Sequence, residues 1–136
     1  MEAVVLVGVQ ASGKSSFYAQ HYADTHLRLN RDMLRTAHRE VVLMYACLAV
    51  GQAFVVDNTN PKRETRARYV AAAKGAGFRT VAVVFEVPIE LALARNAARE
   101  DRARVPDRAI RGTFAKLEPV TANEGFDEIR VVTEAA

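Results

Sequence analysis

The sequence has 136 residues, which suits one domain around one core, and half of them are apolar, which excludes a disordered chain. Its formal net charge is +3, and its single cysteine, Cys47, cannot form an internal disulfide, so a reducing, cytoplasmic setting is expected. No apolar run approaches the ~18 residues of a membrane span, and the start of the chain lacks the basic region and cleavage site of a signal peptide.

Ala3–Val7 is a continuous apolar run, as in a strand buried on both faces. A loop follows over Gly8–Gly13, and Lys14–Tyr22 is expected to be helical. His26–Leu29 reads as a short strand. Asp32 is placed to cap a long helix with Leu34, Ala37, Val41, Tyr45 and Leu48 on one face, ended by Gly51. Cys47 on this helix reads as a buried, inert thiol. Ala53–Val56 is a third strand. Asn60-Pro61 is a helix-start signal, with Asn60 as cap and proline at the first helical position. That helix runs to about Lys74, before Gly75 and Gly77. Thr80–Val87 is a fourth strand, Ile89–Ala98 a helix, and Arg99–Val105 a polar segment expected to be mobile. Pro106 opens a helix to about Leu117, and Glu128–Val132 is the last strand. Alternating strands and helices predict a three-layer α/β domain with a parallel sheet of about five strands, spanning residues 1–136. In such sheets ligands sit beyond the carboxyl ends of the strands.

The segments at those ends carry the chemistry. Gly8-Val9-Gln10-Ala11-Ser12-Gly13-Lys14-Ser15 matches the phosphate-loop pattern in full. Its glycines let backbone N–H groups turn toward phosphate oxygens, and the following helix adds its positive end. Gly8, Gln10, Ala11, Ser12, Gly13, Lys14, Ser15 and Ser16 are therefore the candidate nucleotide-binding residues. Lys14 would face the β- and γ-phosphates of ATP, and the Ser15 hydroxyl is the candidate ligand of Mg²⁺. The loop specifies a nucleoside triphosphate but not a reaction.

After the second strand, Asp32 and Arg35 lie three residues apart at a helix start and can face one cleft. A carboxylate there can orient an acceptor hydroxyl and take its proton. Arg31 reads as a solvated surface charge. After the third strand, Asp57 is a candidate to bind the acceptor or to hold Mg²⁺ through water, and Thr59 to form the turn. Tyr69 and Phe17 read as core residues. Residues 62–112 hold twelve basic and six acidic side chains, a cationic region suited to a nucleotide or nucleic acid. Within it Arg95, Arg99, Arg102 and Arg104 are candidates for a lid, at about residues 95–112, that closes over the triphosphate and excludes water. Arg95 is counted with the nucleotide-binding residues.

Together these motifs resemble the polynucleotide 5'-hydroxyl kinase family. The matching residues are Gly8–Ser15, Asn30-Arg31-Asp32, Asp57-Asn58-Thr59-Asn60-Pro61, and Arg66-Ala67-Arg68-Tyr69-Val70 with Ala73 and Gly75-Ala76-Gly77. The match continues through Arg95-Asn96, Val105-Pro106 and Glu124-Gly125-Phe126. The resemblance implies a phosphate-loop kinase that phosphorylates the 5'-hydroxyl of DNA or RNA. It implies that Asp32 is the general base and that Arg35 contacts an acceptor phosphate. It places Asp57 and Arg68 on the acceptor side, and matches Arg99 to the catalytic lid arginine, with Arg102 as the alternative. No phosphatase motif is present, so only the phosphorylation step is expected of this sequence. Two other readings stay open: a kinase of the same fold with a small hydroxyl acceptor (a nucleoside, sugar or antibiotic), and a nucleotide-binding module without phosphotransfer. No Asn-Lys-x-Asp guanine signature supports the second. The oligomeric state is left open.

Overall fold

The chain folds in the order β1 (Glu2–Val7), α1 (Lys14–His21), β2 (Leu27–Leu29), α2 (Arg31–Leu34), α3 (Ala37–Val50), β3 (Phe54–Val56), α4 (Arg63–Gly75), β4 (Arg79–Phe85), α5 (Ile89–Ala97), α6 (Asp107–Lys116) and β5 (Glu128–Val132). A single 3₁₀ turn, Ala122–Glu124, precedes the last strand. The structure is a computed structural model that describes residues 1–100 and 103–133. The five strands form one parallel sheet in the order β2-β3-β1-β4-β5. Parallel neighbours cannot be joined by tight turns, so every connection crosses a face of the sheet and carries helix.

β1 lies at the centre, with Val4 opposite Val55 of β3 and Val81 of β4. It is buried from Ala3 onward, and its alternate side chains feed two cores. Ala3, Val5 and Val7 pack with Met44, Cys47 and Leu48 of α3 and with Tyr69, Val70 and Ala73 of α4. Val4 and Leu6 pack with Phe17 and Tyr18 of α1 and with Tyr22. The result is the expected three-layer fold, with Cys47, Tyr69 and Phe17 in or against the cores as the sequence predicts. A third cluster of Val9, Val87, Ala92 and Ile110 ties the loop after β1 to α5 and α6. Among the described residues, no helix is long and apolar enough to cross a membrane.

Two local expectations are corrected. The long helix expected from Asp32 is two helices. Asn30, not Asp32, caps the first, its side chain accepting from the N–H of Met33 at 2.9 Å. Arg35 then takes a φ of 75°, and Thr36 caps α3 by accepting from the N–H of Arg39 at 3.1 Å. The break resets the helical phase, so Val41 and Tyr45 face out while Glu40, Met44, Cys47 and Leu48 face in. Gly51 ends α3 in the left-handed conformation, as expected. The second correction concerns Asn60, which does not cap α4; that helix begins at Arg63. Asn60 is buried at a φ of 47°, and its Nδ2 donates to the carbonyl of Leu6 at 2.8 Å. Its amide is committed to stitching the β3 turn onto β1.

Candidate active site

The loop between β1 and α1 depends on two glycines for different reasons. A Cβ on Gly8 would lie 2.9 Å from both the Cβ of Phe85 and the Oγ of Ser12, so any side chain there would push β4 away. Gly13 opens α1 at a φ of 102°, a region that L side chains rarely adopt. Between them Ala11 holds a φ of 62°, a local strain of the kind found where backbone is shaped for a ligand. The N–H of Gly8 donates to the carbonyl of Thr59 at 3.0 Å, which joins this loop to the segment after β3.

Lys14 is buried at the start of α1, and its Nζ folds back to donate to the carbonyls of Gly8 at 2.9 Å and Val9 at 2.6 Å. Burial lowers the amine from its ordinary 10.5 to about 8; Asp57 works against that shift and Arg99 adds to it. A bound triphosphate favours the charged amine, so nucleotide binding is expected to take up a proton near and above pH 8 and almost none well below it. Calorimetric titration with ADP in buffers of different ionisation enthalpy measures this uptake; a pH-independent value would contradict it.

Ser15 stands one residue on, and its hydroxyl donates to Oδ2 of Asp57 at 2.9 Å. The same oxygen accepts from Nε of Arg28 at 2.8 Å, while Nη2 of Arg28 donates to the Ser15 hydroxyl at 3.1 Å. The buried carboxylate at the end of β3 and the loop hydroxyl therefore form one unit across 42 residues of chain. A hydroxyl and a carboxylate are the hard oxygen donors that Mg²⁺ prefers. The described residues hold no cluster of three or more His, Cys, Asp or Glu able to hold a metal.

The segments after β2 and β3 are braced from behind. Asn30 Nδ2 donates to the carbonyl of Asp57 at 2.7 Å, and the N–H of Arg31 donates to Oδ1 of Asn58 at 2.8 Å. Behind both lies Glu40, 1% exposed, which accepts from Nη2 of Arg31 at 3.2 Å, Nδ2 of Asn58 at 2.8 Å and the hydroxyl of Tyr69 at 2.8 Å. Burial alone would raise the Glu40 carboxyl, but these three donors hold it below its ordinary value. Burial and the Glu40 bond both push the Tyr69 phenol up. This network holds the backbone on either side of Asp32 and Asp57. Arg31 is thus half of an ion pair rather than a simple solvated charge.

These parts line one cleft of about 740 Å³. Of the residues singled out by sequence, Gln10, Ala11, Lys14, Ser15, Asp32, Asp57 and Arg99 are on its walls. Gly8, Ser12 and Gly13 shape the loop beneath, and Ser16 is exposed on the first turn of α1. Arg99 donates to the carbonyl of Ala103 at 3.3 Å, and Asn96 clamps the base of this segment by bonding both the N–H and the carbonyl of Val105. Three expected members are placed elsewhere. Arg68 is exposed on α4, 3.5 Å from Glu64, because the inward face of that helix is Arg66, Tyr69, Val70 and Ala73. Arg35 is exposed at the bend between α2 and α3, and the partly buried Arg95 on α5 is not on the described cleft wall. Arg102 lies outside the described residues. Arg28, Asn30, Asn58 and Glu40 were not singled out for the site by sequence. Only Asn30 and Asn58 carried a signal, as members of the matched motifs.

A central parallel strand leading through this loop into a helix, with a neighbouring strand-end carboxylate bonded to the loop serine, defines a P-loop kinase fold. The chain belongs to the family described as an AAA domain, which matches residues 4–120. Its sequence is polynucleotide kinase-like: a protein of Schizosaccharomyces pombe named bifunctional polynucleotide phosphatase/kinase is 29% identical across 96% of this chain. The chain spans 33% of that relative's length. Among solved structures, a sugar kinase from Janibacter sp. HTCC2649 superposes with a TM-score of 0.72 at 18% identity, covering 98% of this chain and 85% of its own. Kti12 of Chaetomium thermophilum, in complex with ADP-AlF3, gives 0.72 at 17% identity, covering 96% and 88%. At these identities the two structures share the fold.

Proposed function

We propose that this chain transfers the γ-phosphoryl group of ATP to the 5'-hydroxyl of DNA or RNA. One observation carries the reading: Asp32 opens onto the same cleft as Lys14 and the Ser15–Asp57 pair, with Arg99 on the wall as well. The name of the Schizosaccharomyces pombe relative and the cationic stretch 62–112 favour a polynucleotide as acceptor. Asp32 would accept the proton of the 5'-hydroxyl as its oxygen bonds to the γ-phosphorus. The bond from that phosphorus to the β–γ bridging oxygen breaks, and the charge passes to the leaving diphosphate. Lys14 and the loop N–H groups would hold that charge, and Arg99 the transferring group. Ser15 and Asp57 would hold Mg²⁺, which supplies further neutralisation of phosphate charge when bound. Arg35, one turn from Asp32, and Arg68 are offered as contacts to more distant acceptor phosphates, outside the cleft itself.

Transfer from γ-labelled ATP to a 5'-hydroxyl oligonucleotide tests this. Asp32→Asn is expected to lower kcat about 10²–10⁴-fold with ADP affinity little changed. An inactive wild type, or a fully active Asp32→Asn variant, would sink the mechanism. Salt separates the acceptors: KM for an oligonucleotide should rise steeply with ionic strength. Efficient transfer to a nucleoside or sugar, indifferent to salt, would assign a small acceptor instead.

A further inference from the structure

Arg28 belongs to none of the motifs above, yet its guanidinium covers both oxygens that the proposed chemistry reserves for a divalent ion. It projects from β2, the edge strand of the sheet. Its Nε donates to Asp57 Oδ2 at 2.8 Å and its Nη2 to the Ser15 hydroxyl at 3.1 Å. The Asp57 side chain is 2% exposed and that of Arg28 29%, so the guanidinium forms the solvent side of the pair. A carboxylate buried this deeply needs a positive partner. Lys14 acts on Asp57 through space but spends its hydrogen bonds on the loop carbonyls. Arg28 is the cation that bonds the carboxylate directly.

We infer that Arg28 is a built-in stand-in cation for the Ser15–Asp57 site and must withdraw before a divalent ion can bind there. The inference rests on the proposed reading of that pair as the metal side of the cleft. Mg²⁺ takes its oxygens at about 2.0–2.1 Å in a strict octahedron. A guanidinium bonded to the same two oxygens would lie within a few ångströms of it, and like charges at that range repel strongly where water is scarce. An edge strand leaves Arg28 room to swing outward. A bare ion gains one carboxylate and must expel one arginine. An ion arriving on a triphosphate brings its own negative charge and meets no such deficit. Arg28 thereby makes metal binding depend on nucleotide, a coupling that works equally in both directions.

Mn²⁺ is the probe, titrated by electron paramagnetic resonance against the nucleotide-free full chain. Arg28→Gln is expected to bind Mn²⁺ about tenfold tighter than wild type, or more, and the gain in ADP affinity on adding metal should shrink correspondingly. The wild type offers a second readout, the Nε–H resonance of Arg28, assigned by its loss in Arg28→Lys. It should move on saturation with Mg²⁺ and ADP together but not with ADP alone. Equal or weaker Mn²⁺ binding by a folded Arg28→Gln protein overturns the inference, as does a resonance indifferent to the metal; if the variant does not fold, the resonance decides. If wild type binds metal with ADP but Arg28→Gln changes nothing, this inference falls alone. If wild type binds no metal even with ADP, the metal reading of Ser15 and Asp57 falls and takes the inference with it.

Discussion

Replacing Arg66 with methionine is expected to cost roughly 3–5 kcal/mol of folding stability, the range for breaking a buried ion pair from one side. The Arg66 side chain is fully buried, and its guanidinium is saturated with partners. Nε and Nη2 grip the two oxygens of Glu124 at 2.8 and 3.0 Å. Nη1 donates to the carbonyls of Asn60 and Pro61, both at 3.0 Å, and Nη2 to that of Glu118 at 3.0 Å. Glu124 in turn accepts from the N–H of Thr121, closing the turn before β5. Arg66 thus fastens the segment after α6 to the turn that follows Asp57. Methionine fills similar space but leaves Glu124, 8% exposed, with only the longer contact to Arg63 at 3.9 Å. Urea unfolding of Arg66→Met measures the loss, and Arg66→Met/Glu124→Leu should recover much of it, since an apolar pair costs no desolvation. A single-variant loss below about 1 kcal/mol, the size of one ordinary hydrogen bond, would show that the pair contributes little. The pH dependence gives an independent check. Burial raises the Glu124 carboxyl, but the bonds from Arg66 and Thr121 outweigh it and hold the group below its ordinary value. A depressed carboxyl stabilises the fold above its unfolded value and loses that contribution as pH falls through the folded one. The gap between wild type and Arg66→Met should therefore narrow in acid, leaving the part carried by the bonds to the carbonyls.

Arg66 also marks what was legible in the sequence. The phosphate loop was readable because its eight residues are contiguous and its chemistry is local. The parallel sheet followed from apolar runs alternating with helices, and Asp57 from its place at the end of one. Arg66 and Arg68 sit in the same short motif, and helical phase separates them. Arg66 shares a face with Tyr69, Val70 and Ala73, at offsets of three, four and seven residues, so its burial could have been inferred from periodicity. Glu40 could not. It looks like any acidic residue in the first turn of a helix, and it is buried only because Arg31, Asn58 and Tyr69 converge on it from three other segments. Arg28 is similar: a charged residue inside a three-residue strand has no local signature, and its meaning lies in Ser15 and Asp57, each remote in sequence. Asn60 misled because Asn-Pro is a sound cap signal, and here a bond to the neighbouring strand outcompetes the cap.

Lys14→Met is expected to lower turnover by roughly 10²–10³-fold, the usual loss when one preorganised charge donor is removed from a transition state, yet to leave the nucleotide-free protein at least as stable as wild type. Both halves come from the same burial. Without nucleotide the amine is charged below pH 8 but shielded from water, which is why it is lowered to about 8. A lysine depressed in this way destabilises the fold below pH 8, where the folded and unfolded forms are both charged. That cost is relieved as pH rises from about 8 toward 10.5, where only the unfolded form still holds the proton. Methionine keeps the length of the side chain and carries no charge. The carbonyls of Gly8 and Val9 lose a donor, but carbonyls tolerate partial satisfaction better than N–H groups do. The stability advantage of the variant should therefore be largest below pH 8 and shrink above it. Urea melts on both sides of that value, with ADP affinity and phosphoryl transfer measured on the same samples, test the whole chain of reasoning. A variant that melts well below wild type at low pH would show that Lys14 is held in place for structure. The expected pattern would show that the loop keeps an unfavourable charge until a triphosphate arrives to relieve it, so that stability is given up where phosphate is bound.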